Sequence, residues 1–178
     1  MKVGSVFDML GPIMVGPSSS HTAGAVRLGL MARKILGTKL KEARILLHGS
    51  FAETGKGHGT HLALIAGLLG IQPDDEKIRF APKIAEEAEV SVIFDSVDLG
   101  EVHPNTARFY LTGTEGEKAQ ITGCSIGGGR IVITEVNEFR VEITGEYPTL
   151  LLMYADSPGM VAEITKVLAV VGINIAQM

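Results

Sequence analysis

The sequence predicts an α+β fold, and three observations support that prediction. Apolar residues recur at helical spacing through much of the first third of the chain. The middle alternates apolar and polar residues in short runs, as strands do. After Tyr147-Pro148 a new strand–helix–strand pattern begins. Because strands follow helices rather than alternating regularly with them, we predict an α+β domain over 1–147 and part of a second domain over 148–178.

The first predicted elements are mostly helical. A short helix over Ser5–Leu10 ends at Gly11-Pro12, which breaks helices. The next helix ends near Gly37, and Ser19 or Ser20 is expected to cap its start. A buried strand, two helices and a second strand then follow, with one turn between the helices. Their predicted bounds are Arg44–His48 (strand), Thr60–Leu69 (helix), Ile84–Glu89 (helix) and Val90–Phe94 (strand).

The later elements are mostly strands. Four are predicted in the first domain, with hairpin turns at Gly113–Gly116 and Glu135–Glu138. They span Thr106–Thr112, Lys118–Thr122, Arg130–Val136 and Phe139–Thr144. The second part should contain a strand, a helix and a strand over Leu150–Tyr154, Met160–Val170 and Gly172–Ala176. About 30 residues are too few for a core of their own, so we expect a truncated domain or strands borrowed from a partner.

Composition excludes several classes of function. The 178 residues hold one cysteine, which cannot form an intrachain disulfide or supply a cysteine-rich metal site. The net charge of −4 argues against a general polyanion binder. Residues 1–61 nevertheless have a net charge of +5, from either anion handling or chance clustering of solvated charges. With no secretion signal and no long apolar run, we expect a soluble cytoplasmic protein.

The first candidate site is a run of polar side chains at a predicted helix start. It comprises Ser18, Ser19, Ser20, His21 and Thr22. Hydroxyls and free backbone N–H groups at a helix N-terminus suit a carboxylate or phosphate. The alternative is a helix cap with more hydroxyls than it needs. Since one cap uses one side chain, a binding function is the favoured interpretation.

The second candidate is the glycine-rich turn Gly55-Lys56-Gly57-His58-Gly59 before a helix. It is not a nucleotide-binding P-loop, because the glycine spacing is wrong and no Ser or Thr follows Lys56. A substrate could approach His58 closely between its glycines, which suits a general base. The alternative is a flexible turn with exposed histidines.

The third candidate is the segment Gly123–Gly129, which contains a G-x-S-x-G pattern around Ser125. The nucleophile elbow of hydrolases needs a helix after the serine, whereas a strand is predicted here. An anion cradle of backbone amides is the better hypothesis. A weaker candidate is His103-Pro104-Asn105-Thr106, which alone indicates a turn. The histidines lack zinc-site spacing, so we expect no metal on this chain.

Together these segments resemble the β subunit of the iron–sulfur-dependent bacterial L-serine dehydratase. The resemblance rests on five stretches in order, and together they span essentially the whole chain. They are SVFDMLGPIMVGPSSSHTAGAVRLG (5–29), HGSFAETGKGHGT (48–60), HPNTA (103–107), TGCSIGGGRI (122–131) and the final segment (150–178), which is similar to an ACT domain.

The resemblance implies a fold and a reaction. The first domain would be a mixed-sheet domain similar to the allosteric substrate-binding domain of a D-3-phosphoglycerate dehydrogenase. The last part would begin an ACT-like, ferredoxin-like domain. The family converts L-serine to pyruvate and ammonia without pyridoxal phosphate. Its [4Fe–4S] cluster is ligated by cysteines of a separate α subunit, so the β chain should be inactive alone. The resemblance also implies a homodimeric or heterotetrameric assembly.

The resemblance also implies roles for individual residues. His58 is the candidate base or a close partner of it, and His21 is a second catalytic candidate. The substrate-binding candidates come from all the matching motifs: Ser18, Ser19, Ser20, Thr22, Lys56, Thr60, Asn105, Thr106, Ser125, Gly127 and Gly128. Three positions fall where ACT domains bind amino-acid effectors between paired copies, and these are Asp156, Gly159 and Asn174.

Two departures and two alternatives accompany this interpretation. Family members commonly have Asp after GHGT, where this chain has His61, so an orienting role for that position is not expected here. Family β subunits usually continue beyond Met178, so the ACT-like part should be incomplete. One alternative is a regulatory module that binds serine or a small anion without chemistry. The other is a hydrolase using Ser125, which would need a helix after Gly129.

Overall fold

The structure is a computed structural model that describes residues 13–55, 57–176 and 178. The chain divides into two compact units, residues 1–148 and 149–178. The described helices of the first unit are a π-helix Ser19–Gly24, α1 Ala25–Leu36, α2 Ser50–Thr54, α3 Thr60–Leu69, a 3₁₀ helix Glu76–Phe80 and α4 Ala81–Glu87. Its strands are β1 Leu40–Leu47, β2 Ser91–Ser96, β3 Thr106–Gly113, β4 Lys118–Gly127, β5 Arg130–Val136 and β6 Phe139–Ile143.

The six strands form one mixed sheet in the order β2-β1-β3-β4-β5-β6. Strands β1 and β2 pair in parallel, and every other neighbouring pair is antiparallel. The parallel pair is joined through α2, α3 and α4, since a parallel crossover needs a long connection. The predicted α+β class with a mixed sheet is therefore confirmed.

Helix α1 packs against β3, β4 and β5 and also against α3. Glycines allow both approaches. A Cβ at Gly29 would lie 2.6 Å from the Leu64 carbonyl oxygen, so α1 and α3 touch nearly backbone to backbone. A Cβ at Gly123 on β4 would lie 2.9 Å from Leu28, which is fully buried. The helix that begins at the serine motif is thus fixed against the centre of the sheet.

Most elements of the first unit form where the sequence predicts them. Helix α3 and strand β5 have the predicted bounds. Strand β1 begins earlier than predicted, at Leu40, because Leu40–Leu47 pairs along β3. Strand β4 continues to Gly127, five residues beyond the prediction, because it pairs with β5 as far as Gly127–Arg130. The prediction over Ser5–Leu10 lies outside the described residues.

Three local predictions need correction. The helix predicted over Ile84–Glu89 spans Ala81–Glu87 and follows a 3₁₀ turn, because Pro82 is favoured in the first helical turn. Ser18, rather than Ser19 or Ser20, caps the helical segment that begins at Ser19, since Ser18 has the extended backbone of a cap residue. Helix α2, only five residues long, is not predicted at all.

The second unit, residues 149–178, contains helix α5 at Met160–Val170, as predicted. The strands predicted over Leu150–Tyr154 and Gly172–Ala176 are not formed among its described residues. A strand requires a hydrogen-bonded neighbour, and in a split βαβ arrangement another strand lies between these two. No residue of α5 is buried. The ACT-like assignment of this unit stays a prediction.

Candidate active site at the serine-rich helix start

The serine motif begins the helical segment with a π-helix, Ser19–Gly24, that runs directly into α1. The Ser18 side chain accepts a hydrogen bond from the His21 backbone N–H at 3.1 Å. The Ser18 carbonyl accepts from the Thr22 N–H at 2.8 Å. Ser18, Ser19 and Ser20 are half-buried, and Thr22 is buried. π-Helical turns are rare and frequently occur at functional sites, so this irregular helix start favours a functional role for the segment.

His21 lies at the centre of the described contacts. Its Nε2 atom is 3.0 Å from the Thr54 hydroxyl and 3.2 Å from the Ser50 hydroxyl, both on α2. Its ring packs edge-on against Phe51, with centroids 5.2 Å apart. The His58 ring lies on another side, with centroids 5.0 Å apart. The serine motif and the glycine-rich turn are therefore parts of one site.

The surroundings of His21 favour the neutral form of its imidazole. Burial lowers the pKa of this ring below its ordinary value of 6.5, because a charged ring loses hydration there. A backbone hydrogen bond at Ser50 opposes the shift, and the nearby His58 ring adds to it. The neutral form keeps one nitrogen lone pair, which a proton-transfer role requires.

His58 is exposed, and backbone contacts hold it in place. Its Nδ1 atom is 3.2 Å from the Thr54 carbonyl oxygen, and its backbone N–H donates to the same oxygen at 3.2 Å. The Thr22 hydroxyl donates to the His58 carbonyl at 3.5 Å. Lys56, a candidate in the same turn, lies outside the described residues. An exposed ring on a held backbone suits a group that meets a substrate from solvent.

Thr60 begins α3 and is fully buried. Its backbone N–H donates to the Gly55 carbonyl at 2.8 Å, which closes the turn that contains His58. Its hydroxyl has no hydrogen-bond partner among the described residues. Thr60 therefore shapes the turn through its backbone, and its hydroxyl is left for another partner.

The HPNT and SIGGG segments lie side by side. The Ser125 N–H donates to the Asn105 carbonyl at 3.0 Å, and the Asn105 amide donates to the Ser125 carbonyl at 3.4 Å. The buried Thr106 hydroxyl donates to the His103 carbonyl at 2.5 Å. Asn105 and Thr106 therefore already make internal hydrogen bonds that hold this corner of the sheet.

Ser125 is fully buried beneath the serine motif, with its hydroxyl unpartnered among the described residues. A Cβ on Gly24, at the end of the π-helix, would lie 2.8 Å from the Ser125 Cβ and closer still to its hydroxyl. Strand β5 follows Gly129, where a hydrolase elbow would need a helix. The Ser125 hydroxyl therefore faces the start of the serine-rich helix rather than standing on an exposed elbow.

The glycines of SIGGG form a tight hairpin turn. Gly128 and Gly129 connect β4 to β5 and have φ of +60° and +74°, and Gly127 has +95°. Two-residue hairpins of type I′ need positive φ at both central positions, which glycine adopts without strain. Arg27 of α1 donates to the Gly129 carbonyl at 2.9 Å. These contacts explain the glycines as a turn, while the predicted anion cradle stays a hypothesis.

Comparison with known proteins identifies relatives of this chain. Residues 5–92 match the serine dehydratase beta chain family. The probable L-serine dehydratase beta chain of Bacillus subtilis is 46% identical over 178 residues, covering all of this chain and 80% of that protein. The L-serine dehydratase beta chain of Peptoniphilus asaccharolyticus is 42% identical over 165 residues, or 92% and 74% of the two chains.

The chain belongs to the serine dehydratase beta chain family. The family resemblance predicted from the motifs is confirmed. A D-3-phosphoglycerate dehydrogenase of Synechocystis is 28% identical over 156 residues, covering 86% of this chain and 28% of that enzyme. That match is consistent with the predicted similarity of the mixed-sheet domain.

The chain does not offer a ligand set for an iron–sulfur cluster among its described residues. Its one cysteine, Cys124, is buried on β4, and burial raises the pKa of its thiol. Within residues 13–55, 57–176 and 178, no group of three His, Cys, Asp or Glu side chains could hold a metal ion. The same described part contains no helix long and apolar enough to cross a membrane.

The effector candidates lie in the second unit. Asp156, Gly159 and Asn174 are exposed, and Gly159 precedes α5 with a φ of +93°. These three positions therefore stay predictions from the resemblance.

Sequence reasoning missed Ser50, Thr54 and Arg27. The first two are one turn apart on α2 and meet His21 Nε2, and Arg27 holds the glycine turn. All three lie inside stretches that carry the family resemblance, but those stretches give them no role, because the role arises only when α2 folds against the serine motif. The i, i+4 spacing of two hydroxyls between a strand and the His58 turn is the available clue.

Proposed function

We propose that this chain is the β subunit of an L-serine dehydratase that converts L-serine to pyruvate and ammonia. Membership in the serine dehydratase beta chain family supports the reaction class. The observation that carries the site assignment is the approach of His21 and His58, whose rings lie 5.0 Å apart beside the serine-rich helix start. Two imidazoles beside a set of hydroxyls suit substrate binding and proton abstraction.

In this proposal the serine motif binds the substrate's charged groups. The backbone N–H groups of Ser18, Ser19 and Ser20, together with the hydroxyls of these serines and of Thr22, would receive the carboxylate and ammonium. The remaining binding candidates are Lys56, Thr60, Asn105, Thr106, Ser125, Gly127 and Gly128. Among these, the unpartnered buried hydroxyls of Thr60 and Ser125 have spare hydrogen-bonding capacity.

His58 is the proposed base. It would take the proton from the substrate Cα while the β-hydroxyl leaves as hydroxide, and that hydroxide and the abstracted proton would make one water. The resulting enamine would tautomerise to an imine, which would add one water and release ammonia and pyruvate. One L-serine thus gives one pyruvate and one ammonia without net oxidation. His21, neutral because of its lowered pKa, would support His58 from its buried side.

The proposed enzyme needs a second chain. Because the chain has one cysteine and no metal-ligand group forms among its described residues, we assign the [4Fe–4S] cluster to cysteines of an α subunit. The β chain would then be inactive alone and would work in the cytoplasm within a homodimeric or heterotetrameric assembly. The second unit would form part of an ACT-like effector site through Asp156, Gly159 and Asn174.

Anaerobic co-expression with a candidate α subunit tests the proposal. Pyruvate formation from L-serine is expected from the two chains together and not from either chain alone. Full activity from this chain alone would contradict the assignment. Serine binding without pyruvate formation in the reconstituted pair would instead favour the regulatory module.

A further inference from the structure

Thr54, the last residue of α2, contacts both histidines of the candidate site through different atoms. Its hydroxyl oxygen is 3.0 Å from His21 Nε2. Its carbonyl oxygen is 3.2 Å from His58 Nδ1. The two rings thus share one residue as a neighbour, and the hydrogen-bonding capacity of that residue limits which ring nitrogens can hold protons.

The hydroxyl has one proton to give. It donates that proton to the Ser50 carbonyl at 2.8 Å, one helical turn earlier. The Thr54 oxygen can then only accept from His21 Nε2, so that nitrogen carries a hydrogen. The Ser50 hydroxyl, 3.2 Å from the same nitrogen, can accept as well.

The Thr54 carbonyl gives the opposite result for the other ring. A carbonyl oxygen only accepts hydrogen bonds. His58 Nδ1 must therefore carry a hydrogen to make the 3.2 Å contact. In a neutral ring the lone pair is then on Nε2, the nitrogen farther from the backbone. This is the atom that a base on an exposed ring would use.

We propose that Thr54 is a positioning residue that holds the two histidines in opposite tautomers, His21 as Nε2–H and His58 as Nδ1–H. Its effect on turnover rests on the proposed function, because there its carbonyl would keep His58 Nε2 as the proton acceptor and its hydroxyl would orient the His21 ring that supports His58. The tautomers themselves do not depend on that function. A wrong tautomer of a catalytic histidine is costly even when its position is unchanged.

Nitrogen NMR of the full chain with ¹⁵N-labelled histidine tests the tautomers directly, at a pH where the rings are neutral. In the unsubstituted chain, His21 should show a protonated Nε2 and His58 a protonated Nδ1. Thr54→Val removes the hydroxyl and keeps the carbonyl, so only the His21 signals should move toward a tautomer mixture. Thr54→Ser restores a hydroxyl and should restore the original His21 pattern.

Thr165→Val is the matched control. The Thr165 hydroxyl makes the same bond one turn back, to the Val161 carbonyl at 2.8 Å, but on α5 of the second unit. It should leave both histidine spectra unchanged. The proposal is overturned if the unsubstituted chain shows His21 as Nδ1–H or His58 as Nε2–H. Unchanged His21 signals in Thr54→Val would overturn it too. If Thr54→Val does not fold, the unsubstituted spectra still decide.

Activity of the α–β pair gives a second readout. Thr54→Val should lower kcat/KM roughly tenfold, in line with the loss of one hydrogen bond, while Thr54→Ser stays near the unsubstituted value. Equal losses in both variants would overturn the hydroxyl's role. An inactive unsubstituted pair would instead contradict the proposed function and leave the NMR result intact, so the two failures are distinguishable.

Discussion

Two glycine-rich segments of this chain look alike in sequence but have different structural roles. The histidine loop, residues 55–59, joins α2 to α3 and presents an exposed His58 beside His21. The glycine turn, residues 127–129, joins β4 to β5 and has positive φ at all three glycines. The first holds a titratable side chain at its surface, whereas the second closes a hairpin above a buried serine.

The difference shows that glycine content alone does not identify a ligand loop. In the glycine turn, backbone conformation accounts for the glycines, because a two-residue hairpin needs them. In the histidine loop, Gly57 has ordinary φ and room for a Cβ, with only the Thr54 carbonyl at 3.7 Å. Four substitutions can break or sharpen this contrast, beginning with the largest expected effect.

His58→Ala should have the largest effect, and on activity rather than on folding. Removing a general base typically lowers turnover about 10²- to 10⁴-fold. Pyruvate formation by the reconstituted α–β pair measures it, with the cluster absorption of the α subunit expected to persist. Arg79→Ala, at an exposed residue of the 3₁₀ helix, is the control and should keep full activity. Near-normal turnover of His58→Ala would mean that the histidine loop, like the glycine turn, has no role in the reaction.

Gly24→Ala should have the largest effect on stability, because Gly24 at the end of the π-helix packs directly on Ser125 of β4. The new methyl group would collide with the Ser125 side chain, which is fully buried. Overpacking of this kind costs about 1–3 kcal/mol. Urea unfolding measures the loss, and Gly57→Ala is the matched control with an expected change near zero. An unchanged urea midpoint for Gly24→Ala would mean that the start of the serine-rich helix does not pack on Ser125 of β4.

Gly128→Ala should destabilise the chain less, by about 1–2 kcal/mol, because its φ of +60° is strained for a residue with a Cβ. Gly128→Asn should cost less than Gly128→Ala, since asparagine tolerates this conformation better. Thermal unfolding of the three proteins gives the ranking. Equal stability of all three would show that the turn conformation does not require glycine.

The smallest expected effect is a pH dependence from His21. Its pKa is lowered on folding, so the unfolded chain takes up the proton first as pH falls below about 6.5. The stabilisation from the neutral ring is complete above that value. It declines on acidification until the native ring is protonated as well. Between about pH 7.5 and about pH 5.5, His21→Asn should show a smaller loss in its urea midpoint than the unsubstituted chain. An identical loss in both would mean that the native ring is not perturbed.

Much of this fold follows from local sequence patterns. Helix α3 and strand β5 form with the predicted bounds because apolar periodicity and glycine boundaries are strong local signals. Strand β4 was predicted too short because its extra residues pair with β5, and pairing is a property of two segments. The strands predicted in residues 149–178 do not form among the described residues for the same reason, since no described strand pairs with them.

The sequence by itself determined the family, the α+β class, and which polar residues stand at helix starts and glycine turns, because short motifs record local backbone needs and chemistry. Tertiary structure alone decided that His21 meets Thr54 and His58, and that Ser125 lies beneath Gly24. Those contacts join segments separated by 33 to 101 residues in the chain, so no local pattern encodes them. They depend on how the helices pack on the sheet, and this packing brings the two histidine rings together beside the serine motif.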